Sequence, residues 1–266
     1  MLRHPAVAGQ FYTDDPAQLR RELDRFIVSG ERRRALGIIS PHAGYVYSGA
    51  VAGRVFGKVE IPNTVLVLGP NHHGVGAPAA LYPAGEWLLP NGRVAIDQRL
   101  SELILKHAPF VTEDPTAHRF EHSLEVQVPF LQHENPHVTI AAICLGFSDF
   151  RSCSALGNAL AAAITEYGDP VLIVASSDMT HYESAAAAKE KDHLALQEIE
   201  RLDPEALLKT CRARNITMCG VVPATVMLVA AKALGATSAQ VISYASSGEV
   251  NGDYDRVVGY AAVAVC

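Results

Sequence analysis

The sequence predicts an α/β protein: a mixed, largely parallel sheet with helices on both faces. Three observations carry this. Short apolar runs bounded by turn residues alternate with segments of helical periodicity. Those runs are apolar at successive positions, the pattern of strands covered on both faces. No linker, internal repeat or low-complexity stretch interrupts the 266 residues, so one domain over 1–266 is expected.

The elements follow in order. After an extended start, "DDPAQLRRELDRFIVSG" (14–30) has a proline near its beginning and helically spaced apolar residues, so it reads as an amphipathic helix. "ALGIIS" (35–40) is a strand, and "SGAVAGRVFGKV" (48–59) a helix with small residues on its packing face. "TVLVLG" (64–69) is a second buried strand. "AALYP" and "EWLLPNGRVAID" follow, with "PNG" marking a turn near Asn91. "QRLSELILKHA" and "EHSLEVQVPFLQH" read as helices, "VTIAAICLG" (138–146) as a strand, and "CSALGNALAAAITEYG" as a helix ending at Gly168. "PVLIVASS" (170–177) is a strand, followed by helices over 184–200 and "DPEALLKTCRAR". "GVVPATVMLVAAKALG" is a helix that tolerates Pro223 in its first turn. "QVISYASS" and "RVVGYAAVAV" close the chain as strands joined by "GEVNGDYD".

A hydrophobic fraction of 49% against 19% charged residues supports a large core and argues against disorder. Net charge is −6 with no basic, aromatic-laced stripe, so nucleic acid is not an expected partner. The start lacks a secretory apolar region, and no run approaches the ~18–20 apolar residues that span a bilayer. The five cysteines include no CxxC pair. An odd count in a chain of this size points to a reducing compartment, so a cytoplasmic protein without membrane partners is expected.

Open α/β sheets bind ligands beyond the carboxyl ends of their strands. There the sequence places His42 in "PHAGY", His72 and His73 in "PNHHG", and Asp178 and His181 in "SSDMTHY". Cys219 of "TMCG" precedes a predicted helix, where free N–H groups lower a thiol's pKa. Each residue also has an ordinary reading as a packing or surface group; their recurrence favours a site. Two imidazoles and one anion suit a divalent metal. His72 and His73 are adjacent, so at most one faces a common centre. "HRFEH" (118–122) matches the H-x-x-E-H peptidase pattern, with Glu121 as base, but the loop-like "DPTAHRF" breaks the helical spacing that pattern needs. "GVGAPA" (74–79) has a proline where a dinucleotide loop's helix would begin. Neither GxSxG nor a Walker A sequence occurs.

"RHPAVAGQFYTDD", "PHAGYVYSG", "LGPNHHG", "EHSLEVQVPFL", "SSDMTHY", "LDPEAL" and "MCGVVPA" stand in the order of the Memo-like family, which this chain resembles from about Arg3 to its last strand. Members are also called AmmeMemoRadiSam system protein B. The resemblance implies a fold like that of the class III extradiol ring-cleavage dioxygenases, which hold iron with two His and one Glu. It implies metal ligands at His42, His72 and Cys219, with Asp178, His181 and His122 in the same pocket. His181 would be the acid/base, and Asp178 would orient it or a metal-bound water. Cys219 stands where those dioxygenases have a carboxylate; a thiolate fits iron, and copper or zinc as well.

The function so implied is a metal-binding, redox-active oxidoreductase taking a small-molecule substrate or a peptide. Two other classes remain open: a retired enzyme fold acting as an interaction module, and a zinc hydrolase with a metal-bound water near His122. The family label implies an AMMECR-like protein and a radical-SAM protein as genetic companions.

Overall fold

The computed structural model describes residues 1–28 and 30–266. Ser29, near the expected end of the first helix, lies outside the described residues. The strands are β1 (Leu2–Arg3), β2 (Gly37–Ser40), β3 (Thr64–Pro70), β4 (Ala79–Leu81), β5 (Glu86–Leu89), β6 (Gly92–Ile96), β7 (Thr112–Glu113), β8 (Thr139–Leu145), β9 (Val171–Ser176), β10 (His181–Glu183), β11 (Ala239–Ser246) and β12 (Val257–Val265). The helices are α1 (Pro16–Phe26), α2 (Tyr45–Phe56), α3 (Gln98–His107), α4 (Val128–Glu134), α5 (Phe150–Tyr167), α6 (Ala185–Glu200), α7 (Pro204–Ala213), α8 (Val221–Ala233) and α9 (Gly248–Asn251).

The strands run β1-β5-β6-β8-β3-β9-β2-β12-β10 across one large sheet, with β11 beside β12 and β4 and β7 at the β8 side. The central run β6-β8-β3-β9-β2 is parallel. β12 joins β2 antiparallel and carries β10 and β11, also antiparallel. The expected mixed, largely parallel sheet is therefore present. β5 and β6 form the hairpin expected at "PNG", with Leu89 opposite Gly92.

Alternate side chains of the buried strands feed two cores. Leu66, Leu68, Ile143 and Ile173 face α3, α5 and α8. Val65, Val67, Ala142 and Val174 face the side holding α1, α2 and α4. Side chains buried on both faces explain why these runs are continuously apolar. α1 and α2 meet closely because Gly53 has no side chain: a Cβ there would sit 2.3 Å from the Phe26 carbonyl oxygen.

Two helix boundaries differ from expectation. α2 begins at Tyr45, not at residue 48, because the chain turns immediately after His42 and Tyr45 N–H donates to the Phe11 carbonyl (2.7 Å). The helix expected over 121–133 becomes coil and a 3₁₀ turn, Glu125–Gln127, before α4. Its first residues are drawn away by tertiary hydrogen bonds. Glu125 is fully buried and accepts from Arg3 Nη1 (2.6 Å), Tyr12 Oη (2.7 Å) and the Ala6 amide (2.7 Å).

Candidate metal centre

β9 lies between β3 and β2, parallel to both, so all three carboxyl ends open at one edge. The chain leaving β2 carries His42, that leaving β3 carries His72, and that leaving β9 carries Asp178. One ring nitrogen of each of His42, His72 and His122 lies within 4.8 Å of the other two, a group able to hold a metal ion. His72 and His122 stack at 4.7 Å, and His42 meets both rings edge-on at 5.2 and 5.4 Å.

Hydrogen bonding fixes which nitrogens face inward. Ser176 Oγ donates its one proton to the Ser123 carbonyl (2.6 Å). It therefore accepts from His42 Nδ1 (2.9 Å), which must carry the proton, leaving the lone pair on Nε2. Gln127 Nε2 also donates to this hydroxyl (2.7 Å) and to the Pro41 carbonyl (3.0 Å), which fixes its amide orientation. Glu121 Oε1 accepts from His72 Nδ1 (2.8 Å), and its Oε2 from the His72 amide (2.7 Å). His72 Nε2 is thus also left free. Burial raises the Glu121 pKa, but hydrogen bonds from the His72 ring and the Ser123 and His72 amides outweigh it and keep the carboxyl below its usual range. His122 Nδ1 stands 3.6 Å from the same carboxylate. A carboxylate behind a histidine is the outer-shell arrangement that orients metal ligands.

His42 and His122 are kept neutral. Burial, followed by the neighbouring His122 and His72, pushes His42 well below its ordinary value. Burial lowers His122 to about 4. Neutral imidazoles with inward lone pairs need give up no proton to bind a cation.

Cys219 reaches this group through His42: Sγ lies 3.1 Å from Nε2. It also accepts from the Asp178 amide (3.3 Å). Its position just before α8 does not lower the thiol's pKa, contrary to expectation. Burial first, then the Asp178 charge, raise it, and the backbone N–H groups of Asp178 and Gly220 only partly offset them. A bound cation would reverse this balance, since coordination deprotonates a thiol. Gly220 makes the approach feasible: a Cβ there would fall 2.2 Å from the Ser176 carbonyl oxygen.

Asp178 does not contact His181 through a hydrogen bond. Its Oδ1 accepts from the His42 amide (2.7 Å) and more weakly from that of Ala43 (3.3 Å), so it caps the turn that presents His42. Burial raises its pKa to about 6. His181 is oriented by Thr217: the hydroxyl accepts from its amide (2.7 Å) and the carbonyl from Nδ1 (3.0 Å), leaving Nε2 free. His73 turns away, its Nε2 donating to the Phe120 carbonyl (2.9 Å). His118 is apart from the centre, donating Nε2 to the Ala80 carbonyl (2.9 Å). No helix spans 118–122, so the peptidase spacing is absent.

Glu121 and Ser176, which orient the clustered His72 and His42, and Gln127, which donates to Ser176, are not expected in those roles from the sequence. The sequence singles out Glu121 only within H-x-x-E-H. The signal available was its position beside His122; nothing local marks its reach to His72, 49 residues away.

The family model described as "Memo-like protein" matches residues 3–264. A MEMO1 family protein of Aquifex aeolicus is 43% identical over 264 residues, covering 97% of each chain. One of Methanosarcina barkeri is 41% identical over 267 residues, covering 99% of this chain and 100% of its own. An Escherichia coli K12 protein of solved structure covers 77% of this chain and 86% of its own at 18% identity and a TM-score of 0.43. The class is a mixed α/β protein with a histidine cluster at the carboxyl edge of its sheet. This chain belongs to the Memo-like family.

Proposed function

We propose that this single-domain chain is a cytoplasmic metal-binding protein with a redox-active, dioxygenase-like centre, in which His42, His72 and Cys219 hold the ion. Iron fits first, with copper and zinc behind it. The observation that carries the reading is the pair of imidazoles locked with Nε2 inward, beside a sulfur 3.1 Å from one of them. The bound ion would supply Lewis acidity and one-electron chemistry. His181 would exchange a proton with substrate through its free Nε2, held ready by Thr217. Asp178 would hold the His42 turn in place, and His122 would wall the cleft against His72. Five free thiols support a reducing compartment, and among the described residues no helix is long and apolar enough to cross a membrane.

A second reading rests on His122. The mutually close group is His42, His72 and His122, and an all-histidine set suits zinc and metal-assisted hydrolysis. Metal analysis of anaerobically purified protein separates the two. Near-stoichiometric iron or copper, lost in His42→Ala and Cys219→Ala but retained in His122→Ala, supports the first. Zinc lost in His122→Ala and retained in Cys219→Ala supports the second. No metal after reconstitution with Fe(II), Cu(I) and Zn(II) overturns both.

A further inference from the structure

Directly after His181 the backbone does something costly. Tyr182 has a φ of +61°, the left-handed region that aromatic side chains avoid. It is the extra residue of a β-bulge: His181 pairs with Val258 and Glu183 with Val257, leaving Tyr182 unpaired. Bulges beside active sites re-aim side chains, and strain persists only where the surroundings impose it. Here Thr217 pins His181, and the Glu183 carboxylate takes the Lys191 ammonium (2.5 Å). The chain between these anchors throws the Tyr182 ring outward, 67% exposed, while keeping it 5.8 Å from the His181 ring. Arg256, also exposed, lies over the Tyr182 ring with Cζ 5.6 Å from its centroid. The nearby Asp253 carboxylate is committed to the turn, accepting the Asp255 and Arg256 amides.

The result is an exposed aromatic face and a guanidinium held together beside the acid/base histidine. We propose that Tyr182 and Arg256 form the recognition edge of the metal cleft, and that the ligand it selects is a planar small molecule bearing a carboxylate. The ring offers a stacking face, and the guanidinium offers a fork matched to a carboxylate. The strain at Tyr182 is the cost of putting this edge next to His181. The proposal takes its location from the proposed metal centre, but its test reads the edge separately.

The test is calorimetric titration of benzoate, cyclohexanecarboxylate and benzyl alcohol into the metal-quantified protein and into chelator-treated protein. Benzoate is expected to bind both forms, with benzyl alcohol and cyclohexanecarboxylate at least tenfold weaker. Arg256→Gln should weaken benzoate about tenfold and leave alcohol binding unchanged. Tyr182→Gly should lose benzoate binding while its melting temperature stays at or above wild type, because glycine relieves the left-handed backbone. Benzoate binding unchanged in both variants overturns the proposal. So does equal binding of the acid and the alcohol, or a Tyr182→Gly protein that melts lower and binds normally. A wild type that lacks metal yet shows the benzoate pattern would sink the metal reading and leave the recognition edge standing.

Discussion

At the scale of single residues, the candidate centre depends on groups that are not themselves candidate ligands. His42 and His72 present Nε2 only because Ser176 Oγ and Glu121 Oε1 accept the hydrogen bond from Nδ1–H. Glu121→Gln keeps the size but removes the charge and sets an amide NH₂ against N–H donors. Outer-shell losses of this kind cost about 10–100-fold in metal affinity. We expect that range for Glu121→Gln in chelator competition, with the ion retained at saturating concentration. Unchanged affinity would show that His72 needs no carboxylate to orient it. Ser176→Ala should also weaken binding, because His42 Nδ1–H loses its acceptor and the neighbouring Gln127 Nε2, itself a donor, cannot replace it.

At the scale of elements, the position of Cys219 is set by the packing of α8 against the end of β9. Gly220 is where they touch. An added Cβ there meets the Ser176 carbonyl and the Ser177 Cβ at 2.2 and 2.4 Å, backbone and branch-point atoms that cannot swing away. Overpacking of this kind costs about 1–3 kcal/mol. Gly220→Ala should therefore lower the melting temperature and also reduce metal content toward that of Cys219→Ala, since the shift moves Sγ from His42. Stability lost with metal content intact would separate the two. The elements themselves were largely legible: the hairpin at "PNG", the buried strands and the order of strand and helix all follow from local chemistry. The stretch 119–127 was not. Glu121, Ser123, Glu125 and Gln127 are all buried, and their partners lie at Arg3, Tyr12, Pro41, Pro70 and His72. Leu124, Val128 and Leu131 give residues 121–133 a helical apolar spacing. Hydrogen bonds to residues tens of positions away override it, and no local pattern encodes them. The strand-end histidines were legible because topology alone gathers parallel carboxyl ends. The inward turn of His122 depended on the same unreadable stretch.

At the scale of the whole molecule, the amino-terminal segment is tied to this stretch by Arg3 and Glu125, paired at 2.6 Å with both side chains almost wholly buried. Removing one partner of such a pair costs about 3–5 kcal/mol. Arg3→Met should lower denaturation midpoints accordingly and loosen Phe11 from His122, which it packs against at 4.7 Å. Acid should destabilise the whole fold for a related reason. Burial holds His118 near 4, against 6.5 for the ordinary group. Between those values the unfolded chain binds the proton and the folded one does not, so stability is full above 6.5 and falls as pH drops toward 4. From pH 7.5 to 5 this one residue accounts for about 2 kcal/mol. His122, lowered similarly by burial, adds to it. Asp178 has the opposite sign: its folded pKa of about 6 lies above the unfolded value, so acidification favours its folded state and offsets part of the loss. The net slope is still downward, because three histidines lowered by burial, His42, His118 and His122, oppose the raised carboxyls of Asp178 and Asp192. Urea denaturation at pH 7.5 and pH 5 should show the loss in wild type. His118→Asn keeps a donor for the Ala80 carbonyl but cannot titrate in this range. Whatever its stability at pH 7.5, it should lose about 2 kcal/mol less on acidification. Parallel losses in the two proteins would mean that the buried His118 is not a source of acid sensitivity.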